Sequence, residues 1–352
     1  MKKIVLAFDS FKGCITAKEA CDAAAMGVLS VCPEATVVQM PMSDGGEGLV
    51  KCVCQIIPTQ TISIRVHGPL KEDIMAEYAL SMDGRTAYME MAAASGLTLV
   101  PQDRRNPMVT TTYGVGEMIA DTVRRGCKTI IMGLGGSATC DGGRGMIMAL
   151  RDNDCLNPDC DVIAACDVSN PLFGRNGAAY IFAPQKGATP EQVALLDNHL
   201  RTFARETELA GIASPSLADY PGAGAAGGLG YALLAYLKAE SHSGIDIMLD
   251  LANFDEAIKD ADLVVTGEGK SDEQTLMGKV PHGVLRRCKK LGVPVWLLSG
   301  SIEDTSGILT KSFDFIRSIN DGDNRPISVL LQADVAKENL TKTMKNLIIK
   351  RQ

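Results

Sequence analysis

The sequence predicts an α/β fold in two domains, with one sheet built from the two ends of the chain and interrupted by a second, mixed α/β domain. Two observations lead there. Short apolar runs alternate with helical patterns over residues 1–58 and again over residues 258–352, which is the signature of a parallel sheet with crossover helices. Residues 59–257 read differently, as strands closed by tight turns and then glycine-rich loops leading into helices. The expected division is therefore a discontinuous domain, 1–58 with 258–352, and an inserted domain, 59–257.

The elements follow in order. Lys3–Phe8 (KIVLAF) is an apolar run without alternation, as expected of a strand buried on both faces. Thr16 with Glu19 three residues later makes a capping box, so a helix runs from there to about Val31, stopped by Pro33. Thr36–Met40 is the second strand, closed by SDGGEG, and Leu49–Ile57 the next helix. Around Ile62–Val66, Met75–Leu80 and Thr86–Met91 the pattern is that of antiparallel strands, turning at Asp83-Gly84. Gly116–Arg125 is helical, Lys128–Met132 a strand, and Ile163–Cys166 and Tyr180–Phe182 short strands. Pro190–Glu208 and Ala226–Lys238 are helices. In the final segment Leu263–Thr266, Val293–Leu298 and Phe313–Ile319 are strands, with helices at Val280–Leu291 and Val335–Lys350.

Composition narrows the function. The chain is 352 residues, 46% hydrophobic and 5% aromatic, with 35 glycines, a balance suited to buried strands and many tight turns. A formal charge of −7 argues against nucleic acid as the main partner. Eleven cysteines contain no CxxC pair, and their odd number suits free thiols in a reducing cytoplasm. The opening MKKIVLAFDS is too short in apolar residues for a membrane span and reads as a strand. The expected partners are small molecules, with no membrane or nucleic acid; a homo-oligomer is compatible with the sequence.

Several constellations bear chemistry. GLGGSATCDGG (133–143) lies between a strand and a helix, where backbone N–H groups of Gly135 and Gly136 and the hydroxyls of Ser137 and Thr139 suit a phosphate or carboxylate. Asp141 is the odd member, since a carboxylate repels a phosphate unless a proton or metal ion intervenes. Asp9, Ser10 and Lys12 follow the first strand, and Asp44, Gly45, Gly46 and Glu47 the second. Strand C-termini are where parallel sheets build their sites. There Asp9 can serve a substrate hydroxyl, Lys12 an anion, and Asp44 a Mg²⁺ ion. GEGKSD (267–272) fails as a P-loop, because Val264 stands where the first glycine is required. It still offers Glu268, Lys270 and Asp272, with Lys279 a few residues on.

PGAGAAGGLG (221–230) contains G-x-G-x-x-G at Gly222, Gly224 and Gly227, without the preceding strand of a dinucleotide site. Close helix packing or backbone contacts to an anion fit it better. Lys186, in PQKGA, is a further candidate ligand contact. The four histidines share no spacing, and nothing suggests a Ser-His-Asp triad.

Taken in order, DSFKG (9–13), SDGGEG (43–48), EMAAASGL (90–97), TTTYGVGE (110–117), GLGGSATCDGG (133–143), ACDVSNPLFGRNGA (165–178), PQKGA (184–188), PGAGAAGGLG (221–230) and GEGKSDEQTLMGK (267–279) resemble the bacterial glycerate kinase family of the non-P-loop type. The resemblance spans nearly the whole chain. It implies a flavodoxin-like (Rossmann-like) domain interrupted by a second α/β domain. It also implies ATP and Mg²⁺ as cofactors, and phosphorylation of D-glycerate to 2-phosphoglycerate. On this reading Asp9 takes the hydroxyl proton and Lys12 neutralises charge. Asp44, Glu268 and Asp272 are the candidate Mg²⁺ ligands, and the 133–143 loop holds either nucleotide phosphate or glycerate.

Three positions depart from the family pattern: Cys140 stands for Asn, Ser43 for Ala and Lys270 for Arg. The connection from Arg151 to Val162 is also shorter than the family's. Alternatives stay open. These are a kinase of another small hydroxy acid, a 3-phosphoglycerate-forming enzyme, a different small-molecule kinase such as one of the galactokinase-like superfamily, or a non-catalytic sugar-acid sensor.

Overall fold

The structure, a computed structural model, describes residues 2–11, 13–46 and 48–351. Lys12 and Glu47 lie outside the described residues. The chain divides into two compact units: Met1–Asp44, Gln55–Ile57 and Ile245–Gln352 form the first, Gly45–Cys54 and Pro58–Gly244 the second. Among the described residues no helix is long and apolar enough to cross a membrane.

The first unit is a five-stranded, wholly parallel sheet in the order Phe315–Ser318, Val295–Ser299, Leu263–Gly267, Lys3–Phe8, Thr36–Gln39. In chain order this is 2-1-3-4-5, the flavodoxin-like order, with its reversal between Lys3–Phe8 and Leu263–Gly267. Ile4 to Phe8 and Leu263 to Gly267 are buried on both faces, which explains their unbroken apolar run.

Helix Ala17–Leu29 begins at the predicted capping box: Glu19 N donates to Thr16 Oγ1 at 3.2 Å and Thr16 N to Glu19 Oε2 at 2.9 Å. It packs against helix Ala333–Arg351 so closely that a Cβ on Gly27 would lie 2.4 Å from the Thr341 carbonyl oxygen.

The second unit holds a six-stranded mixed sheet, Thr59–His67, Asp73–Ser81, Thr86–Glu90, Thr129–Gly133, Asp161–Ala165 and Glu240–His242 in that spatial order. The first two pairings are antiparallel and the remaining three parallel. Its core is aliphatic, rich in Ala, Met, Ile and Leu, as the low aromatic content requires.

One predicted strand is a helix. Tyr180–Phe182 belongs to helix Ala178–Phe182, with Tyr180 and Ile181 turned outward at 43% and 46% exposure. A three-residue apolar run has no period to separate the two states, and the surrounding alanines favour the helix.

Next to the reversal point, strands Leu263–Gly267 and Val295–Ser299 are pressed together by a missing side chain. A Cβ on Gly267 would stand 1.7 Å from the carbonyl oxygen of Leu298. Gly267→Ala is expected to destabilise the chain by about 3 kcal/mol, read as a lower urea midpoint. An unchanged midpoint would mean that the strand ends separate without cost.

Candidate functional site

In the first unit the carboxyl ends of the strands open onto a cavity of about 350 Å³. Asp9 and Ser10 reach it from Lys3–Phe8, Glu268 to Lys270 from Leu263–Gly267, Gly300 and Ser301 from Val295–Ser299, and Asn320 from Phe315–Ser318. Register explains the meeting of the first two: Phe8 pairs with Gly267, so the next residues, Asp9 and Glu268, emerge side by side. Asp9 is buried at 3% exposure and its carboxylate accepts from the Ser10 N–H at 2.7 Å. Phe11, Ile319, Leu330 and Leu331 give the cavity an apolar wall.

Glu268 is also buried, and its surroundings answer its charge. Oε1 accepts from Thr275 Oγ1 at 2.6 Å and Ser271 Oγ at 3.1 Å, and Oε2 lies 3.3 Å from Lys279 Nζ. Since Ser271 gives its only hydroxyl proton to Glu268, Ser299 is the donor in the 2.7 Å Ser271–Ser299 contact. Such a network holds a carboxylate and an ammonium at fixed places beside the cavity, and losing one partner would leave a buried charge unmet.

Lys270 stands at the cavity edge, paired with Glu303 at 2.7 Å and with Asp272 at 3.8 Å. The Glu303 carboxylate holds its ammonium above the usual lysine range. Asp272 caps the short turn Glu273–Leu276, accepting from Gln274 N at 3.0 Å.

Asp44, Glu268 and Asp272 therefore do not form the expected metal shell. The oxygens of Glu268 are taken by two hydroxyls and Lys279, and Asp272 is a cap. Among the described residues no three acidic, histidine or cysteine side chains gather around one point. Asp44 is half-buried at the end of the first segment of this unit.

The second unit contains the glycine-rich turn, and here the structure revises several expected roles. Asp141 accepts from Thr112 Oγ1 at 2.8 Å and from the N–H groups of Thr112, Gly143 and Gly145 at 2.9, 3.0 and 3.1 Å. The acid thus ties the turn to helix Arg144–Asp152 and to residue 112, so it is a structural anchor and not a ligand to phosphate.

Gly224 and Gly227 are buried and contact no open space. A Cβ on Gly227 would lie 2.0 Å from the Thr139 carbonyl oxygen, and one on Gly224 would lie 2.3 Å from that of Pro171. The GxGxxG pattern is close packing behind the turn, consistent with the missing strand before it. Gly45 packs similarly, near Ala165 and Gly244, while Gly46 is half-buried.

Lys186 is not at the surface of the site, as a direct ligand contact would be. It is 3% exposed beneath the turn, donating from Nζ to Ser137 Oγ at 2.6 Å and to the Thr139 carbonyl at 2.7 Å. Burial pushes its ammonium down to about 8. Above it, Gly135, Gly136 and Ser137 form the outer edge of the turn, with Gly136 at φ +74°. Their three N–H groups donate to no acceptor among the described residues.

Asn320, Ser301 and the apolar wall escaped the sequence reading because no motif marks them. The strand-end rule, applied to Phe313–Ile319, would have pointed to Asn320. Replacing Asp141 by Ala would strip three N–H donors of their acceptor. The expected result is a loss of about 3 kcal/mol in urea unfolding, against little change if Asp141 served only a ligand.

Comparison with known proteins shows the family. A model of the glycerate kinase family matches residues 4–155 and 151–351, two pieces that overlap at 151–155. A glycerate kinase from Bacillus cereus is 40% identical, covering 98% of this chain and 97% of its own. The glycerate 2-kinase of Escherichia coli is 43% identical with 86% of each covered. A crystal structure from Salmonella typhimurium LT2, of a chain assigned as glycerate kinase 2, superposes with a TM-score of 0.82 at 36% identity, over 99% of this chain and 98% of that one. With a family match over nearly all its length and relatives at this identity, the chain belongs to the glycerate kinase family.

Proposed function

We propose that the chain transfers the terminal phosphoryl group of ATP to the 2-hydroxyl of D-glycerate, giving 2-phosphoglycerate and ADP. The observation that supports this most is the place of Asp9. It is a buried carboxylate at the reversal point of a flavodoxin-like sheet, lining the same cavity as the Glu268–Lys279 pair. Phosphoryl transfer needs little covalent help from a protein; it needs alignment and neutralised charge. Asp9 accepts the proton of the attacking hydroxyl. Lys279, oriented by Glu268, and Lys12, outside the described residues, balance negative charge on the substrates. The preference for the 2-hydroxyl follows the family relative named a glycerate 2-kinase.

Magnesium enters this reading on the nucleotide phosphates, since Mg²⁺ needs few protein carboxylates when phosphates supply oxygens. No step is assigned to a protein-held ion, because Glu268 and Asp272 are otherwise engaged and no three candidate ligands gather among the described residues. A cytoplasmic location is in keeping with eleven cysteines that form no disulfide among the described residues.

A coupled assay of ADP release with D-glycerate, L-glycerate and other small hydroxy acids, followed by phosphorus NMR of the product, tests the reading. D-glycerate should be the preferred acceptor and 2-phosphoglycerate the product. The 3-phosphate, or thermal stabilisation by glycerate without turnover, would replace it by the isomeric enzyme or the sensor. Asp9→Asn should keep its melting transition and lose about a hundredfold or more in kcat; near-normal turnover removes Asp9 from the role of base.

A further inference from the structure

We propose that the outer edge of the glycine-rich turn, Gly135 to Ser137, is a pH-gated oxyanion site in which Lys186 is a positioning residue acting through Ser137. The inference rests on the kinase reading for the identity of the anion, a carboxylate or a phosphoryl group, and not for the site itself.

Donor accounting points to an anion. A lysine ammonium only donates, so Ser137 Oγ must accept in its 2.6 Å contact with Lys186. The single hydroxyl proton of Ser137 is then left to donate elsewhere, and the adjacent cation makes it a stronger donor. Added to the three N–H groups of Gly135, Gly136 and Ser137, which meet no acceptor among the described residues, this makes four donors on one short half-exposed turn. Successive N–H groups in a turn with one residue at positive φ form an anion-binding concavity.

The charge is the second, independent clue. Lys186 is buried and makes no ion pair with an acid among the described residues; its two acceptors are a neutral hydroxyl and a carbonyl. A buried cation without a counter-charge is costly and is found where a site uses it. Asp141, the nearest acid in sequence on the turn, points its oxygens at Thr112 and the 143–145 backbone instead.

The titratable groups acting on Lys186 are Cys140 and Asp141, both on the turn and both favouring the charged ammonium. Burial pushes the Cys140 thiol up to about 11, and the oxygens of Asp141 accept from their four donors on Thr112, Gly143 and Gly145. Arg105, whose carbonyl lies against Gly187, is a further basic residue next to this segment. Lys186 is therefore the group that changes state near pH 8, where its lowered value lies. Its charged form is present below that value and lost above it. Anion affinity should accordingly fall as pH rises through about 8, and binding above that pH should take up a proton.

The test is titration calorimetry on the full chain with D-glycerate and, separately, with a non-hydrolysable ATP analogue, at about pH 7 and about pH 9.5. Each is run in two buffers of different ionisation heat. One ligand should weaken by about tenfold or more at the higher pH, with proton uptake; if it is D-glycerate the occupant is a carboxylate, if the nucleotide a phosphate. Lys186→Met should bind that ligand weakly at both pH values and without the step. Ser137→Ala, which leaves the lysine in place, should weaken binding by about tenfold at neutral pH.

Ligand ionisation is common to all chains and cancels in the comparison. A purely structural lysine would give no proton uptake and no step in the unmutated chain, and that result overturns the proposal. If turnover of D-glycerate is found without the step, the site falls and the kinase reading stands. If a step appears without turnover, the reverse holds.

Discussion

Taking an ammonium group out of water costs several kcal/mol unless acceptors meet it, and the acceptors of Lys186 belong to the turn that lies over it. That one pair of bonds fixes where Ser137 and Thr139 stand. Asp141 fixes the far end of the turn through four donors, and Gly227 lets the backbone behind it come into contact at residue 139. The bridge of Gly96 to Ser137 holds the near side. Four anchors of different chemistry converge on eleven residues, while the N–H groups of Gly135, Gly136 and Ser137 meet no acceptor among the described residues. A loop restrained in this way can present donors without paying to order them when a ligand arrives.

The first unit solves a related problem by another route. Its buried acid, Glu268, is answered by a cation and two hydroxyls, so the charge is balanced inside the protein before any ligand comes. The two arrangements differ in what they leave available. Around Glu268 the pair is closed and serves to orient Lys279; around Lys186 no acid makes an ion pair among the described residues, and its two acceptors are a neutral hydroxyl and a carbonyl. A kinase brings two anionic substrates together, and it needs both kinds of site: one that fixes geometry and one that absorbs charge.

Much of this was legible in the sequence, and the reasons are specific. KIVLAF and LVVT are buried on both faces, so periodicity had little to confuse it. Thr16 and Glu19 lie at the spacing a capping box demands. The missing strand before PGAGAAGGLG pointed to packing, and the carbonyl contact at Gly227 is that packing. What sequence could not supply was direction. Asp141, Asp272 and Lys186 are polar residues in glycine-rich segments, and composition gives the same signal whether such a side chain turns outward to a ligand or inward to the backbone. Asp141 and Asp272 turn to N–H groups, and Lys186 turns to a hydroxyl and a carbonyl. Inward is the commoner answer wherever a turn has orphan donors to satisfy.

The connection after Arg151 follows the same logic. Helix Arg144–Asp152 ends with Asn153 Nδ2 donating to the Ala149 carbonyl at 2.8 Å, and Cys155 N donates to the Leu150 carbonyl at 2.8 Å. Asp161 N then donates to the Lys128 carbonyl at 2.8 Å as strand Asp161–Ala165 begins beside Thr129–Gly133. The helix end is satisfied, and the strand enters its register, within eight intervening residues. A longer segment at this point would add nothing that the sheet or the turn requires. The anchors of the glycine-rich turn (Ser95, Thr112, Lys186 and Gly227) all come from elsewhere in the chain. The segment between 152 and 161 therefore takes no part in holding the donor edge at 135–137.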